Sequence, residues 1–364
     1  MQIVHVVGAR PNFMKLAPVY RALARKERVG QAVVHTGQHY DFNMSDVFFQ
    51  QLGLPAPDVS LGVGSGSHAR QTAEVMTRLE PILQERRPDA VLVYGDVNST
   101  AAAALVCAKL LVKLGHVEAG LRSFDRTMPE EVNRLVTDQL ADLLFTPSAD
   151  GNENLAREGV TADKVHLVGN VMIDTLIRFA PRAEEGWPSL RERLELVDGD
   201  RRYVLVTLHR PSNVDQPKAL ADLIEVLGRI GKQLPVLFAV HPRTRQRIVE
   251  FGLEAPSGGV RMLDPLGYLD FLALQRHAAV VITDSGGIQE ETTFLHVPCL
   301  TVRENTERPI TVTLGTNRLV GQDPRRLYQE VQNVLENGTG CGQVPPLWDG
   351  RAGERIAAVL TTGA

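Results

Sequence analysis

Residues 90–100 read Ala90-Val91-Leu92-Val93-Tyr94-Gly95-Asp96-Val97-Asn98-Ser99-Thr100, a run of five apolar residues followed by a glycine turn. A continuous apolar run of this length is typical of a strand buried on both faces of a parallel sheet. The residues after it predict a helix over 101–114. Open α/β sheets hold their ligands at the carboxyl ends of parallel strands. Asp96 is therefore a candidate functional residue.

Asp96 has a second interpretation, because an aspartate before a helix can serve as its N-cap. Asn98, Ser99 and Thr100 are all capable caps, however. We therefore expect Asp96 to be free for other chemistry.

The same alternation of strand and helix extends to both sides of residues 90–100 and predicts a doubly wound, mainly parallel sheet over residues 1–170. Further strands are predicted at 3–7, 32–35, 116–118, 143–146 and 165–168, and helices at 13–26, 43–52, 68–87 and 150–158. Residues 181–201 lose this rhythm, and we interpret them as connecting structure.

The alternation then resumes and predicts a second α/β domain over residues 171–351. Its strands are predicted at 203–208, 236–240, 260–263, 280–283 and 300–302, with a helix at 218–233. The expected fold is α/β, with two Rossmann-like doubly wound domains that face a cleft.

Length and composition narrow the possible functions. A chain of 364 residues suggests about two domains, and its net charge of −4 gives no support to nucleic-acid or anionic-membrane binding. The chain opens on a strand, and its most apolar window is too short for a membrane span. Three widely spaced cysteines, Cys107, Cys299 and Cys341, indicate core thiols of a reducing compartment. We expect a cytoplasmic protein.

Acidic and basic residues are concentrated between residues 116 and 134, in His116-Val117-Glu118-Ala119-Gly120-Leu121-Arg122 and Met128-Pro129-Glu130-Glu131-Val132-Asn133-Arg134. Pro129 followed by two glutamates marks a helix start. The helix dipole alone would favour both glutamates, so one of them is expected to be structural. A solvated loop with incidental ion pairs is the alternative.

Two glycine turns are candidate anion sites. Gly8-Ala9-Arg10-Pro11 follows the first strand and could receive an anion at a helix N-terminus, although a plain turn explains it too. Ser285-Gly286-Gly287 opens a helix that carries Glu291, where a carboxylate could hold a ribose diol. Its alternative is an ordinary N-cap. The Gly8 turn does not have the dinucleotide-binding pattern GxGxxG.

Taken together, the loop cations and carboxylates suit one kind of chemistry. Positive groups are supplied by Arg10, His209, Arg210 and Arg308, and carboxylates by Asp96, Glu118, Glu130 and Glu131. This combination suits proton abstraction from a sugar carbon beside a diphosphate leaving group. Each residue taken singly could instead form a structural ion pair.

The chain resembles the non-hydrolysing UDP-N-acetylglucosamine 2-epimerases over essentially its full length. The matching stretches share both order and spacing with that family. They are Gly8-Ala9-Arg10-Pro11, Thr36-Gly37-Gln38-His39-Tyr40-Asp41, Tyr94-Gly95-Asp96, 116–122, 129–134, Gly169-Asn170, Leu208-His209-Arg210, Asp284-Ser285-Gly286-Gly287-Ile288-Gln289-Glu290-Glu291 and Thr306-Glu307-Arg308-Pro309.

This resemblance implies a glycosyltransferase-B-like architecture whose last helix, at about 352–364, returns to the first domain. It implies an isomerase that eliminates UDP to 2-acetamidoglucal and adds it back, giving UDP-N-acetylmannosamine, with no cofactor and no metal. It also implies a homodimer.

The resemblance assigns roles to individual residues as well. Asp96, Glu118, Glu130 and His209 would be catalytic, with the acid and base roles undivided. Substrate and UDP would be bound by Arg10, Lys15, Arg134, His241, Ser285, Gly286, Gly287, Glu291 and Arg308.

The sequence departs from the family pattern at two places. Residues 211–215 lack a glutamate found in many bacterial members, and the loop at 38–41 lacks a second glutamine. Allosteric activation by a second substrate molecule is therefore not expected. The alternatives that stay open are an epimerase of a UDP-diacetamido sugar, a hydrolysing 2-epimerase, a glycosyltransferase and a non-catalytic UDP-sugar sensor.

Overall fold

The computed structural model describes residues 1–37, 52–196, 203–254, 256–338 and 342–362. The chain divides into two units, Met1–Thr175 with Pro346–Ala364, and Leu176–Pro345. The predicted helix at 43–52 and loop at 38–41, and the thiol of Cys341, lie essentially outside the described residues.

The first unit is built on a parallel sheet with the strand order β3-β2-β1-β4-β5-β6-β7. Its strands are β1 (Gln2–Val7), β2 (Gly30–His35), β3 (Val59–Ser60), β4 (Ala90–Tyr94), β5 (Leu114–Val117), β6 (Leu143–Thr146) and β7 (Val165–Leu167). Its helices, in chain order, are α1 (Arg10–Ala24), α2 (His68–Arg86), α3 (Asn98–Leu110), α4 (Pro129–Leu140), α5 (Ala149–Arg157) and the start of α6 (Val171–Arg193).

The second unit has a parallel sheet of its own, with the order β10-β9-β8-β11-β12-β13. Its strands are β8 (Val204–Thr207), β9 (Val236–Ala239), β10 (Val260–Leu263), β11 (Val280–Thr283), β12 (Cys299–Thr301) and β13 (Asn317–Leu319). Its helices are α7 (Pro211–Val214), α8 (Pro217–Gly231), α9 (Pro242–Glu250), α10 (Tyr268–His277), α11 (Gly286–Leu295), α12 (Ile310–Thr313) and α13 (Pro324–Asn337). Helix α14 (Ala352–Thr361) belongs to the first unit.

These sheets confirm the predicted α/β class of two Rossmann-like units. The central strands are continuous apolar runs, and both faces of each sheet are covered by helices that bury them. Cys107 and Cys299 are buried thiols, as expected. Nowhere in the described ranges is a helix both long and apolar enough to cross a membrane.

Two local predictions were wrong. Residues 181–193 are not irregular but complete helix α6, because Phe179, Ala183 and Leu190 recur at helical spacing and are buried despite the two prolines within the helix. The helix predicted at 101–114 begins at Asn98 and ends at Leu110, because Leu111 adopts a left-handed conformation that stops it.

Strand order decides where functional residues meet. In each sheet the order reverses beside the first strand, between β1 and β4 in one unit and between β8 and β11 in the other. Loops that leave two strands at such a point turn to opposite faces and open a crevice between them. The segments after these four strands begin at Gly8, Gly95, Leu208 and Asp284.

Candidate active site

Glu118 and Asp96 follow neighbouring strands of the first sheet, β5 and β4. The Lys15 ammonium, on α1, lies 2.8 Å from Oε2 of Glu118, and both side chains are buried. Gly95 leaves room for this pair, since a Cβ there would lie 2.6 Å from Nζ of Lys15. The structure thus brings Lys15 and Glu118 together beside the Asp96 turn.

The backbone of Glu118 is strained. Its φ is +76°, a left-handed value that residues with a Cβ rarely adopt. The amides of Glu118 and Ala119 both donate to the carbonyl of Phe145, each at 3.0 Å. Such backbone strain is concentrated at functional sites.

Arg134 connects Asp96 to the helix that follows. Its guanidinium donates to Oδ2 of Asp96 at 2.5 Å and to Oε2 of Glu131 at 2.7 Å. Asn133 donates to the backbone carbonyl of Asp96 at 2.9 Å. Helix α4 therefore fixes both the backbone and the side chain of Asp96.

The two neighbouring glutamates of α4 have different environments. Glu131 is buried, which tends to raise its pKa, but the Ser123 amide and the Arg134 guanidinium outweigh burial and hold that pKa below its usual value. Glu130 is half-buried, and its carboxylate has no hydrogen bond or ion pair with another described residue. Glu131 has a structural role, whereas Glu130 is available to a ligand.

A buried charged network lies beneath these loops, and the parts of His116 and Asp138 in it were not foreseen from the sequence. Asp138 accepts from His116 Nδ1 at 2.6 Å and pairs with Arg122 at 2.7 Å. Nε2 of His116 lies 2.8 Å from the carbonyl of Gly95, and Arg122 also binds Glu158. Burial acts to raise the pKa of Asp138, but His116 and Arg122 outweigh it and lower that pKa.

This network connects the turn after β4 to the turn after β5, because His116 bonds Gly95 and Asp138 bonds Gly120. The available sequence signal was a polar residue, Asp138, one helical turn after Arg134 on the same face of α4.

The capping argument made for Asp96 was wrong in its details. Val97 is the N-cap of α3, and Asn98, Ser99 and Thr100 form its first turn with their side chains buried in other contacts. Ser99 bonds Thr36 at 2.7 Å, and Asn98 donates to Gln71 at 2.9 Å. Asp96 does not cap α3, in agreement with the prediction. The reason differs from the predicted one, because the Asp96 carboxylate pairs with Arg134.

The sequence predicted that the Gly8 turn could receive an anion, but two of its amides are already bonded within the chain. The amides of Gly8 and Ala9 both donate to Oδ1 of Asn12 at 3.0 Å, and Asn12 also donates to the carbonyl of Tyr94 at 2.7 Å. An internal side chain therefore takes the place of a phosphate at these two amides. The Arg10 side chain is not among the described groups.

In the second unit, His209 and Asp284 meet across the point where the strand order reverses. Nδ1 of His209 lies 2.9 Å from Oδ1 of Asp284. The buried carboxylate also accepts the amides of His209 and Arg210 and the side-chain amide of Asn213. Burial acts to raise the pKa of Asp284, but His209 and these donors outweigh it and lower that pKa.

Asp284 is a functional candidate that the sequence reasoning missed, although it stood inside a quoted motif. No hydrogen bond within the described chain occupies Nε2 of His209, so this nitrogen is free to act on a ligand.

The start of α11 presents backbone donors of the kind that bind anions. Ser285 is the N-cap but makes no side-chain capping bond. The amides of Gly286 and Gly287 have no acceptor among the described residues. A Cβ on Gly286 would lie 2.3 Å from Nη1 of Arg308, so only glycine lets this guanidinium reach the helix start. Backbone donors, the helix dipole and an arginine converge here, and Oε1 of Glu307, which pairs with that arginine, would lie 2.7 Å from the same Cβ.

Arg308 is held in place by two buried carboxylates. It pairs with Glu290 at 2.9 Å and with Glu307 at 2.6 Å. Burial acts to raise the pKa of Glu307, but Arg308 and Arg303 hold it far below its usual range.

Glu291 and His241 complete the candidate residues of this unit. Glu291 is buried and accepts from Tyr268 at 2.9 Å and from Gln275 at 3.1 Å, and burial raises its pKa to about 7. His241 is the N-cap of α9, with its ring centroid 5.4 Å from that of His209. Burial and the neighbouring His209 lower the pKa of His241.

Comparison with known proteins agrees with this geometry. The family model described as UDP-N-acetylglucosamine 2-epimerase matches residues 21–361. The chain belongs to this family.

Two curated family members illustrate the range of substrates. The chain is 41% identical over 368 residues to the UDP-N-acetylglucosamine 2-epimerase of Methanocaldococcus jannaschii, covering 100% of both chains. It is 43% identical over 364 residues to the UDP-2,3-diacetamido-2,3-dideoxy-D-glucuronate 2-epimerase of Pseudomonas aeruginosa, covering 99% of each.

Solved structures of the family share the fold. The M. jannaschii enzyme in complex with UDP-GlcNAc and UDP matches with a TM-score of 0.92 at 40% identity over 100% of both chains. The Neisseria meningitidis enzyme bound to UDP-GlcNAc matches with a TM-score of 0.91 at 28% identity over 99% of each. The chain therefore has the glycosyltransferase-B-like organisation of two Rossmann-like units expected from its sequence.

Proposed function

We propose that this protein reversibly epimerises UDP-N-acetylglucosamine at carbon 2 to UDP-N-acetylmannosamine, without hydrolysis. The observation that carries the proposal is the group of carboxylates after β4 and β5 and at the start of α4. Asp96 is fixed by Arg134, Glu118 is strained and paired with Lys15, and Glu130 is unpaired among the described residues. Relatives at 41% and 40% identity that bear this activity in their names support it.

The proposed reaction is an elimination followed by an addition. A carboxylate removes the proton on carbon 2, the C–H electrons form the double bond between carbons 1 and 2, and the C1–O bond breaks with its electron pair leaving on UDP. UDP then adds back to carbon 1 while a second acid protonates carbon 2 from the other face. Two groups on opposite faces are required, which accounts for several carboxylates in one site.

The second unit would hold the UDP moiety. The amides of Gly286 and Gly287, the Ser285 hydroxyl and Arg308 supply donors for the diphosphate. Nε2 of His209, oriented by Asp284, would donate a proton to the departing phosphate oxygen. Glu291 would accept the ribose hydroxyls. We further propose substrate contacts for Arg10 and His241, whereas Lys15 and Arg134 position Glu118 and Asp96.

A second candidate substrate is a UDP-diacetamido uronic acid sugar, which the 43% identity to the P. aeruginosa enzyme favours. Parallel assays with the two sugar nucleotides discriminate between them, because the better substrate has the higher kcat/KM.

Incubation with UDP-N-acetylglucosamine in deuterium oxide tests the elimination directly. We expect recovered sugar nucleotide to carry deuterium at carbon 2, because the abstracted proton exchanges before it returns. Mass spectrometry and proton NMR measure the incorporation. Epimerisation without incorporation of deuterium would contradict elimination. A protein that shows no turnover and no exchange with either sugar nucleotide would favour a non-catalytic sensor.

Affinity for UDP-N-acetylglucosamine should depend on the ionisation of Glu291. Its pKa is raised to about 7, so the carboxyl is mostly protonated below that pH and a weaker acceptor for ribose hydroxyls. In a Glu118→Gln background, which slows turnover, affinity should rise with pH up to about 7 by at most about tenfold per pH unit and then level off.

Calorimetric titrations at several pH values measure this dependence. Adding Glu291→Gln provides the matched control, because it removes this ionisation and leaves His209 and His241 in place. An identical pH profile with Gln at position 291 would contradict the ribose contact.

We also propose a cytoplasmic homodimer. Sedimentation equilibrium of the full chain measures the oligomeric state, and a mass of one chain would refute the dimer.

A further inference from the structure

Phe124 lies in the turn between Glu118 and Glu130 and has two unusual properties. Its side chain is 73% exposed, although large apolar side chains are normally covered. Its φ is +58°, in the left-handed region that a bulky residue seldom adopts. An unfavourable backbone conformation is therefore maintained at an exposed aromatic residue.

A buried carboxylate holds this turn in place. Glu131 accepts the amide of Phe124 through Oε1 at 2.9 Å, and the amide and hydroxyl of Ser123 through Oε2 at 2.9 and 3.0 Å. All three bonds fix Ser123 and Phe124, and the backbone of these residues sets the position of the Phe124 ring.

The turn also lies next to Asp96. The Arg134 guanidinium that contacts Asp96 at 2.5 Å contacts Glu131 at 2.7 Å and the Ser123 hydroxyl at 3.5 Å. The Ser123 hydroxyl, one residue before Phe124, is thus separated from the Asp96 carboxylate by the width of one guanidinium group.

Leu111 offers an informative comparison in the same unit. It is also apolar and exposed, at 92%, and its φ of +56° is nearly the same. Leu111 is the C-cap of α3, however, and its amide donates to the carbonyl of Cys107. Left-handed residues at helix ends are common because they satisfy such carbonyls. Phe124 ends no helix, so its conformation needs another reason.

We propose that Phe124 contacts the sugar of the substrate and retains the 2-acetamidoglucal intermediate. This proposal rests on the proposed function. An aromatic ring packs on the apolar C–H face of a pyranose and keeps water from it. The ring stands on a turn fixed beside Asp96, where the flat glucal would lie between its formation and the return of UDP. The left-handed backbone at Phe124, held by Glu131, keeps the exposed ring at this position, where the bound sugar can use its apolar face.

Phe124→Gly is the informative variant, with Leu111→Gly as its matched control. Both substitutions remove an exposed side chain and relieve a left-handed residue, so both should maintain or raise Tm. Phe124→Gly should increase the fraction of turnovers that release free UDP and 2-acetamidoglucal by about tenfold, whereas Leu111→Gly should leave it unchanged. Phe124→Tyr, which keeps the ring, should restore wild-type retention.

Chromatography of the products measures release, and thermal denaturation measures Tm. Wild-type protein that neither epimerises nor exchanges deuterium would refute the proposed function. Active wild-type protein with unchanged release and KM in Phe124→Gly would refute only the role of Phe124. Unchanged release together with a change of oligomeric state would show that the ring contacts a second copy of the chain, and would also overturn the proposal.

Discussion

Glu118→Gln is expected to lower kcat by about 10²–10⁴-fold, the usual contribution of a positioned acid or base. Glutamine preserves the shape of the side chain but cannot exchange a proton with carbon 2. Affinity for UDP should persist, because the proposed UDP-binding residues belong to the other unit. Single-turnover kinetics and calorimetric titration with UDP measure the two effects.

The neighbouring glutamates of α4 provide a matched control for this interpretation. Glu130→Gln should lower kcat with little change in Tm, since no described group depends on its carboxylate. Glu131→Gln should instead lower Tm, because it weakens the bonds to Arg134, Ser123 and Phe124. The proposed catalytic role of these carboxylates would be refuted if Glu118→Gln, Glu130→Gln and Asp96→Asn all kept near-normal turnover.

Asp284→Asn is expected to lower kcat by about 10²–10⁴-fold as well. The carboxylate at 2.9 Å accepts a proton from Nδ1 of His209, and its negative charge stabilises the imidazolium, the form that has a second proton on Nε2 to donate to the departing phosphate. Asparagine keeps the shape of the side chain but lacks this charge. KM should change less than kcat, since the amides of Gly286 and Gly287 remain.

A double-mutant cycle separates this role from a purely structural one. If Asp284 acts through His209, the double variant His209→Ala, Asp284→Asn should be no slower than His209→Ala alone. Effects that multiply would show that Asp284 acts independently of His209. Nitrogen-15 NMR of the imidazole gives a second readout, because it reports directly which ring nitrogens carry a proton.

Much of the fold could be predicted because its signals are local. Runs such as Ala90–Tyr94 and Val280–Thr283 are buried on both faces and therefore read as continuous apolar segments. The prediction failed for residues 181–193, where two prolines and a glycine suggested irregular structure. Burial of Phe179, Ala183 and Leu190 outweighed the cost of those residues.

Predictions about site residues were limited by pairing between distant segments. His209 and Asp284 are 75 residues apart, and Arg134 and Asp96 are 38 residues apart. The sequence places each of them after a strand or on a helix, but no local pattern states which residue will be the partner. Strand order decides it, because it sets which loops meet.

The sequence by itself determined that this chain consists of two α/β units with carboxylates, cations and glycine turns after their strands. The reason is that strand burial and turn conformation depend on residues that are neighbours in the chain. Tertiary structure alone decided which of these residues remain available. Asn12 accepts from the amides of the Gly8 turn, while those of Gly286 and Gly287 have no acceptor among the described residues. Glu131 is bonded to Ser123 and Arg134, while Glu130 has no partner in the described part of the chain. The physical reason is that a polar group serves a ligand only when no partner from elsewhere in the fold already satisfies it.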